Sequence, residues 1–212
     1  MSGDEERHSK ALEVDLIADP DELAKVEASN GLKQFDAVAH TIELHLDSER
    51  PFKLRPSGIL ALHRIALQGI SAFAGVWRPA GIEIGGSKHK PPGAHLVAAL
   101  VEELCDYVNE NWGKKSALHL CAYVLWRLNW IHPFLEGNGR TARATCYYLL
   151  CVRSGALLPG RRIVPERIRD DRPSYIAALR SSDRAWDGGN LDLMEMDAYL
   201  ARLLEAQLRD ED

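Results

Sequence analysis

Between two strongly apolar stretches of this 212-residue chain lies the run His132-Pro133-Phe134-Leu135-Glu136-Gly137-Asn138-Gly139-Arg140-Thr141-Ala142-Arg143. A histidine, a glutamate, two glycines and two arginines crowd into it. Gly137 and Gly139 free the backbone so that successive N–H groups can converge on one concavity, a nest for an anion. A helix beginning near Arg140 would add its positive end. Arg140 and Arg143 are three apart and share one face of that helix. Two guanidiniums beside a helix N-terminus suit a polyphosphate. Glu136 is a hard oxygen ligand of the kind that holds Mg²⁺ beside phosphates. His132 exchanges a proton near neutral pH. Base, metal ligand and phosphate cradle together point to nucleotide-dependent transfer chemistry. The i,i+4 spacing of His132 and Glu136 would also suit a transition metal on a continuous helix. Pro133 and the Gly-Asn-Gly run break that helix, and no third ligand stands nearby.

The elements that must hold this run are helical. Leu32, Phe35, Val38, Ile42 and Leu46 recur at helical spacing, with Asn30-Gly31 as a candidate start. Pro51 and Pro56 break the chain, and Ser57 reads as an N-cap for a helix through Leu60, Leu62, Ile65 and Ile70. Leu96, Ala99, Leu100, Leu104 and Val108 mark another helix. Ser116 to Ile131 is the most apolar and is expected to be buried on most sides. It must stop near His132, because the residue before a proline is pushed out of the helical region. Thr141 to Val152 follows as a helix. Two more are expected at about 165–182 and 190–209, separated by Gly188-Gly189-Asn190.

Residues 75–93 carry five Gly and three Pro, a composition no helix survives. Ile82-Glu83-Ile84 alternates like a strand and Gly85-Gly86 is a turn signal, so a small β-hairpin or extended flap is expected over 82–92. The fold class is mostly α with this one insertion. Residues 1–18 are expected to be flexible, and 19–212 form a single domain with its core at about 55–155.

Composition narrows the function classes. The apolar fraction is 46% and the charged fraction 27%, and the net charge is −5, so no bulk basic excess argues for nucleic acid. No apolar run approaches the ~18 residues of a membrane span. The acidic start lacks a signal peptide's apolar stretch, which makes the cytoplasm the expected compartment. Cys105, Cys121, Cys146 and Cys151 sit among apolar residues without a CxxC, as buried reduced thiols do. His119 reads as a packed histidine and Trp126 and Trp130 as core or interface aromatics. Lys88 and His89 read as a solvated flap tip and Arg161-Arg162 as a surface charge run.

HPFLEGNGRTAR resembles the signature of the Fic (filamentation induced by cAMP) domain family, HPFx(D/E)GNGRxxR, at every specified position. Ala74-Gly75-Val76-Trp77-Arg78 and Pro91-Pro92 resemble that family's segments before and in its flap. The resemblance covers roughly residues 55–155. It implies a compact helical bundle with a β-hairpin flap over the active loop, and transfer of AMP from ATP to a Ser, Thr or Tyr hydroxyl of a target protein. It implies His132 as general base, Glu136 as the Mg²⁺ ligand, Gly137, Asn138 and Gly139 as the anion hole, and Arg140 and Arg143 on the leaving pyrophosphate. Phe134 anchors the loop. The flap edge Ile82, Glu83, Ile84, Gly85 and Gly86 would dock a target strand by β-augmentation. Other Fic-type enzymes use another nucleotide or remove AMP, and a nucleotide-binding regulatory module is the contrasting class. The intact His132 and Glu136 favour an enzyme.

The family is often held off by a glutamate in an (S/T)xxxE(G/N) helix that pairs with the second signature arginine. The full motif is absent from the sequence. Either an antitoxin-like partner chain supplies the brake, or a degenerate one lies at Val26-Glu27-Ala28-Ser29-Asn30, with Glu27 as the inhibitory residue; besides the target protein, an antitoxin or self-association is the expected partner.

Overall fold

The computed structural model describes residues 16–48, 51–87 and 89–209 in full and residues 9–10 as backbone. Most of the segment expected to be flexible, and Lys88 of the flap, lie outside the described residues. The elements run β1 (Ser9–Lys10), α1 (Pro20–Leu46), α2 (Pro56–Leu67), β2 (Glu83–Ile84), a 3₁₀ turn (Ala94–Leu96), α3 (Val97–Asn111), α4 (Ala117–Ile131), α5 (Asn138–Ser154), α6 (Val164–Asp170), α7 (Arg172–Asp187) and α8 (Met194–Arg209).

The mostly helical expectation holds, with informative differences at the boundaries. α1 starts ten residues before Asn30, because the Asp19 carboxylate accepts from the Asp21 and Glu22 amides and Pro20 occupies the first turn, where a missing N–H costs nothing. Asn30 is therefore no cap. It is buried inside α1, and its Nδ2 donates to Gln68 O at 2.8 Å and Ala66 O at 3.4 Å, tying α1 to the end of α2. α2 is capped by Arg55 rather than Ser57 and ends at Leu67. The helix expected over 165–182 is two, α6 and α7, broken at Asp171. Pro173 has no N–H to continue the hydrogen-bond ladder.

α4 and α5 pack directly on each other at the centre. Eleven residues of α4 are buried, from Leu120 to Ile131, and α5 contributes Ala142, Cys146, Tyr147, Leu150 and Cys151 among others. α1 and α2 cover one side of this pair, α3, α7 and α8 the other. All four cysteines are buried and free. Arg127 is the one arginine within the apolar helix. Its guanidinium carbon lies 4.5 Å from the Trp130 ring centre and 4.8 Å from that of Trp186, with Glu103 at 3.8 Å. These two rings, that of Trp126 at 5.6 Å and the carboxylate thus offset its desolvation. A smaller cluster of Ala66, Leu67 and Ile70, packed against Leu23 and Val26, presses the start of α1 onto the end of α2.

The glycine- and proline-rich stretch supplies a single two-residue strand, not two arms of a hairpin. The partner of β2 is β1, antiparallel, with Ser9 opposite Ile84 and Lys10 opposite Glu83. Residues 89–93 return without ladder bonds, because Pro91 and Pro92 remove the donors a second arm would need.

Candidate active site

The loop between α4 and α5 is built to be rigid. His132 caps α4 in the left-handed conformation (φ 51°), the sole non-glycine residue among those described with positive φ. Such a conformation persists only where its surroundings over-determine it. Here its N–H donates to Leu128 O at 2.9 Å and its carbonyl accepts from Arg78 Nε at 2.8 Å. The ring is buried, with Nδ1 3.2 Å from Asn129 O. A carbonyl can only accept, so the neutral ring carries its proton on Nδ1 and keeps its basic lone pair on Nε2.

Phe134 is fully buried, as expected of an anchor. Its ring stacks on His63 at 3.6 Å and 6° and lies 5.1 Å from Trp77. The Asn138 side chain then closes the loop on itself. Oδ1 accepts from Phe134 N at 2.9 Å and Nδ2 donates to Phe134 O at 2.8 Å. The Asn138 side chain thus acts as a brace. What faces outward is backbone. Gly137 caps α5 at φ 71°, and a Cβ there would meet Leu67 Cδ2 at 2.5 Å. Only glycine fits. The first amides of α5, from Asn138 to Arg140, have no carbonyl of their own helix to meet and form its positive end.

His63, which the sequence did not single out, and Arg78, which it placed only within the segment before the flap, hold this loop from below. His63 Nδ1 accepts from Gly75 N–H at 2.9 Å, so Nε2 carries the proton and donates to Glu136 O at 3.1 Å. Burial pushes its pKa down from 6.5 to about 4, with Arg140 nearby adding to the effect. His63 is thus a neutral strut. Arg78 is buried and donates to Ala80 O at 2.8 Å, Ile131 O at 3.4 Å and Pro92 O as well as His132 O. One guanidinium therefore ties both ends of the flap to the end of α4. The signal in the sequence was slight: an arginine between Trp77 and Pro79, upstream of a helix end whose Pro133 offers no amide to its own carbonyls.

The charged groups stand around the α5 N-terminus. Glu136 is half-buried at the loop's exit. Arg140 Nη1 is 3.4 Å from Ala66 O, and its Nη2 pairs with Glu27 Oε1 of α1. The pair is partly exposed, at 32% and 40%. Arg143 is partly enclosed. Loss of hydration lowers its pKa, and Arg140, Arg172 and Arg169 press in the same direction against Tyr175. No carboxylate among the described residues pairs with Arg143. Arg140 and Arg143 thus stand together at the α5 N-terminus, with Glu27 on the first and no carboxylate on the second, an arrangement that favours an anion.

Other expectations resolve as packing. His119 bridges Tyr107 (2.8 Å to the hydroxyl) and Asp197 (3.8 Å) at the junction of α3, α4 and α8. Trp126 is buried and donates to Asp183 at 3.0 Å. His89 packs on Trp130 with a ring nitrogen 2.7 Å from its carbonyl, so it ties the flap down rather than standing at a solvated tip.

Comparison with known proteins gives this geometry a context. Residues 53–150 match the family model described as Fic/DOC family. Over 101 residues the chain is 37% identical to the protein adenylyltransferase Fic of Drosophila willistoni, covering 46% of this chain and 19% of that protein. The counterpart in Drosophila grimshawi is 35% identical over 101 residues, with 46% and 20% covered. The chain thus spans about a fifth of the length of these curated relatives. Among solved structures, Fic-1 of C. elegans superposes with a TM-score of 0.65 at 25% identity, covering 85% of this chain and 49% of that one. A Fic family protein from Desulfovibrio desulfuricans superposes with 0.64 at 21% identity, with 91% and 54% covered.

Proposed function

We propose that this chain, whose residues 53–150 match the Fic/DOC family model, is an adenylyltransferase that moves AMP from ATP to a Ser, Thr or Tyr hydroxyl of a target protein. The observation that carries the reading is the α5 N-terminus. There, unpaired amides, Arg140 and the carboxylate-free Arg143 face the same loop as a histidine whose basic nitrogen is fixed as Nε2.

The acceptor hydroxyl gives its proton to His132 Nε2 as its oxygen bonds to the α-phosphorus. The bond from that phosphorus to the bridging oxygen breaks, and pyrophosphate leaves. Such transfers need positioning and charge neutralisation more than covalent help. Arg140 and Arg143 take the negative charge that grows on the leaving group. The Gly137–Gly139 backbone holds the phosphates near enough for in-line attack. Asn138, His63 and Arg78 act through the loop, fixing its shape before substrate arrives.

Glu136 would hold Mg²⁺. A half-buried carboxylate suits an ion that takes one or two protein oxygens and completes its shell with phosphates and water. Among the described residues no three His, Cys, Asp or Glu side chains cluster as a zinc site would require. When bound, the ion would help neutralise phosphate charge. The flap edge at Ile82–Gly86 serves target docking by strand addition.

Glu27 acts as an internal brake. It occupies Arg140, the first signature arginine, whereas the family pattern would put the inhibitory glutamate on the second. Asn30, one turn on, fixes α1 over Ala66 and Gln68 and sets Glu27 beside Arg140.

ATP labelled on either the α- or the γ-phosphate, given to purified protein with Mg²⁺ and lysate, tests the reaction type. Label retained on protein from the α-position alone is the expected result. Label from the γ-position would make the reaction a phosphate transfer and sink the proposal.

A further inference from the structure

Helix α4 carries a single amide side chain, Asn129, in its last turn. A buried amide needs an acceptor for each of its two N–H groups. Asn129 has both. Its Nδ2 donates to Leu125 O one turn back at 2.7 Å and to the Tyr175 hydroxyl of α7 at 2.9 Å. Asn129 and Tyr175 are both buried, so neither bond competes with bulk water.

The same asparagine serves the base through its backbone. In an unbroken helix its carbonyl would accept from the amide four residues on. That residue is Pro133, which has no N–H. The ring of His132 takes the place instead, with Nδ1 at 3.2 Å. This is the long end of the range for an N–H···O bond, so the last turn of α4 has little room to drift before the bond is lost. Helix ends fray unless something ties them. The carbonyls of Trp130, Ile131 and His132 are held from the flap by His89 and Arg78. The Asn129 turn is held from α7.

Tyr175 also stands on the phosphate side of the site. Arg143 reaches back over the α5 N-terminus, where a Cβ at Gly139 would meet its Nη1 at 3.1 Å. Burial lowers the pKa of Arg143, and Tyr175 is the neighbour that acts to keep the guanidinium charged. The tyrosine lies outside residues 53–150, which match the family model. Its ring is set by stacking on Tyr199 of α8, with centres 6.1 Å apart.

We propose that Tyr175 is a positioning residue for the transfer. Its hydroxyl fixes the Asn129 turn, the Asn129 carbonyl fixes the His132 proton on Nδ1, and Nε2 is left to take the acceptor's proton. The inference rests on the transfer reading above, but the hydrogen bonds that carry it are in place without substrate. Released from Tyr175, the turn shifts its carbonyl, and the neutral ring divides its proton between its two nitrogens. A ring protonated on Nε2 has no lone pair to offer the acceptor.

Two readouts on the full chain test this. Ring-nitrogen NMR of histidine-labelled protein, at a pH where the His132 ring is neutral, reads the tautomer. Initial rates with α-labelled ATP, Mg²⁺ and lysate read its use. Tyr175→Phe keeps the aromatic ring and its packing and removes only the hydroxyl. It should turn the Nδ1–H form of His132 into a mixture of both tautomers. It should also lower kcat about tenfold and leave the KM for ATP within about twofold of wild type. In the His132→Ala background the same substitution should cost nothing further. Asn129→Ala, at the other end of the bond, should give the same tautomer mixture, with no added effect of Tyr175→Phe upon it. A His132 ring that stays protonated on Nδ1 in Tyr175→Phe overturns the inference, whatever the rates. So does a loss of rate that persists in the absence of His132, or a raised KM with kcat unchanged. Either would place the hydroxyl with Arg143 and the nucleotide instead. A tautomer change in a protein that transfers no AMP supports the link from Tyr175 to His132 and fails the transfer reading alone.

Discussion

The loop from His132 to Arg143 and the elements laid against it, α1 at Glu27 and the flap edge, are held by different kinds of contact. The loop is braced by buried groups. Phe134 is clamped between His63 and Trp77, Asn138 closes both backbone groups of Phe134, and Arg78 binds the carbonyl of His132. Glu27 meets Arg140 through one ion pair open to solvent on both sides, and β2 meets its partner through two residue pairs. An exposed pair is worth at most about 1 kcal/mol, whereas the buried clamp is worth several. Chemistry here is placed on what cannot move, and control on what an arriving anion or strand can displace.

The difference can be broken at the loop with the largest effect. Phe134→Ala removes the clamp and should cost about 4 kcal/mol of stability in urea unfolding. A loss below about 1 kcal/mol would mean the anchor is not one. Acid is the next probe. His63 takes a proton at about pH 4 in the folded chain and at 6.5 in the unfolded one. In that window the unfolded state binds the extra proton, so stability falls as pH drops from 6.5 to 4 and is flat in this group above it. The total is roughly 3 kcal/mol. His63→Gln should flatten the corresponding part of the profile of urea midpoint against pH. An equally steep profile in the variant would assign the acid sensitivity elsewhere. Asn138→Ala leaves a buried N–H and C=O of Phe134 unpaired and should cost about 2 kcal/mol, with transfer lost before the fold is. The smallest effect on stability falls at Glu27→Ala, under about 1 kcal/mol. There the sign on activity reverses, since freeing Arg140 should raise the rate of transfer. Loss of activity in Glu27→Ala would show that α1 supports the site rather than restrains it.

Much of this loop was legible in the sequence because its constraints are local. Gly137 is required by its own φ and by Leu67 behind it, and His132-Pro133 ends α4 wherever it is placed. The helices were legible from apolar spacing. Their boundaries were not, because Asp19 caps α1 well before its apolar stripe begins and Pro173 splits a stripe that looks continuous. As struts, His63 and Arg78 escaped notice for a different reason. Their partners in the loop are backbone carbonyls dozens of residues away, and a sequence does not mark which carbonyl will be left without a donor. The pairing of β2 escaped likewise. An alternating triplet predicts a strand, but a contact across more than seventy residues of chain is decided by where the helices deliver the flap.

The account stands or falls on one comparison of initial rates, with α-labelled ATP, for wild type, Glu27→Ala, His132→Ala and the Glu27→Ala/His132→Ala double variant. It predicts more transfer than wild type in Glu27→Ala. In both proteins lacking His132 it predicts a fall of about a hundredfold or more. A double variant that still transfers AMP at the Glu27→Ala rate would contradict it, because the proton would then be leaving by some route other than the one nitrogen this loop is built to aim.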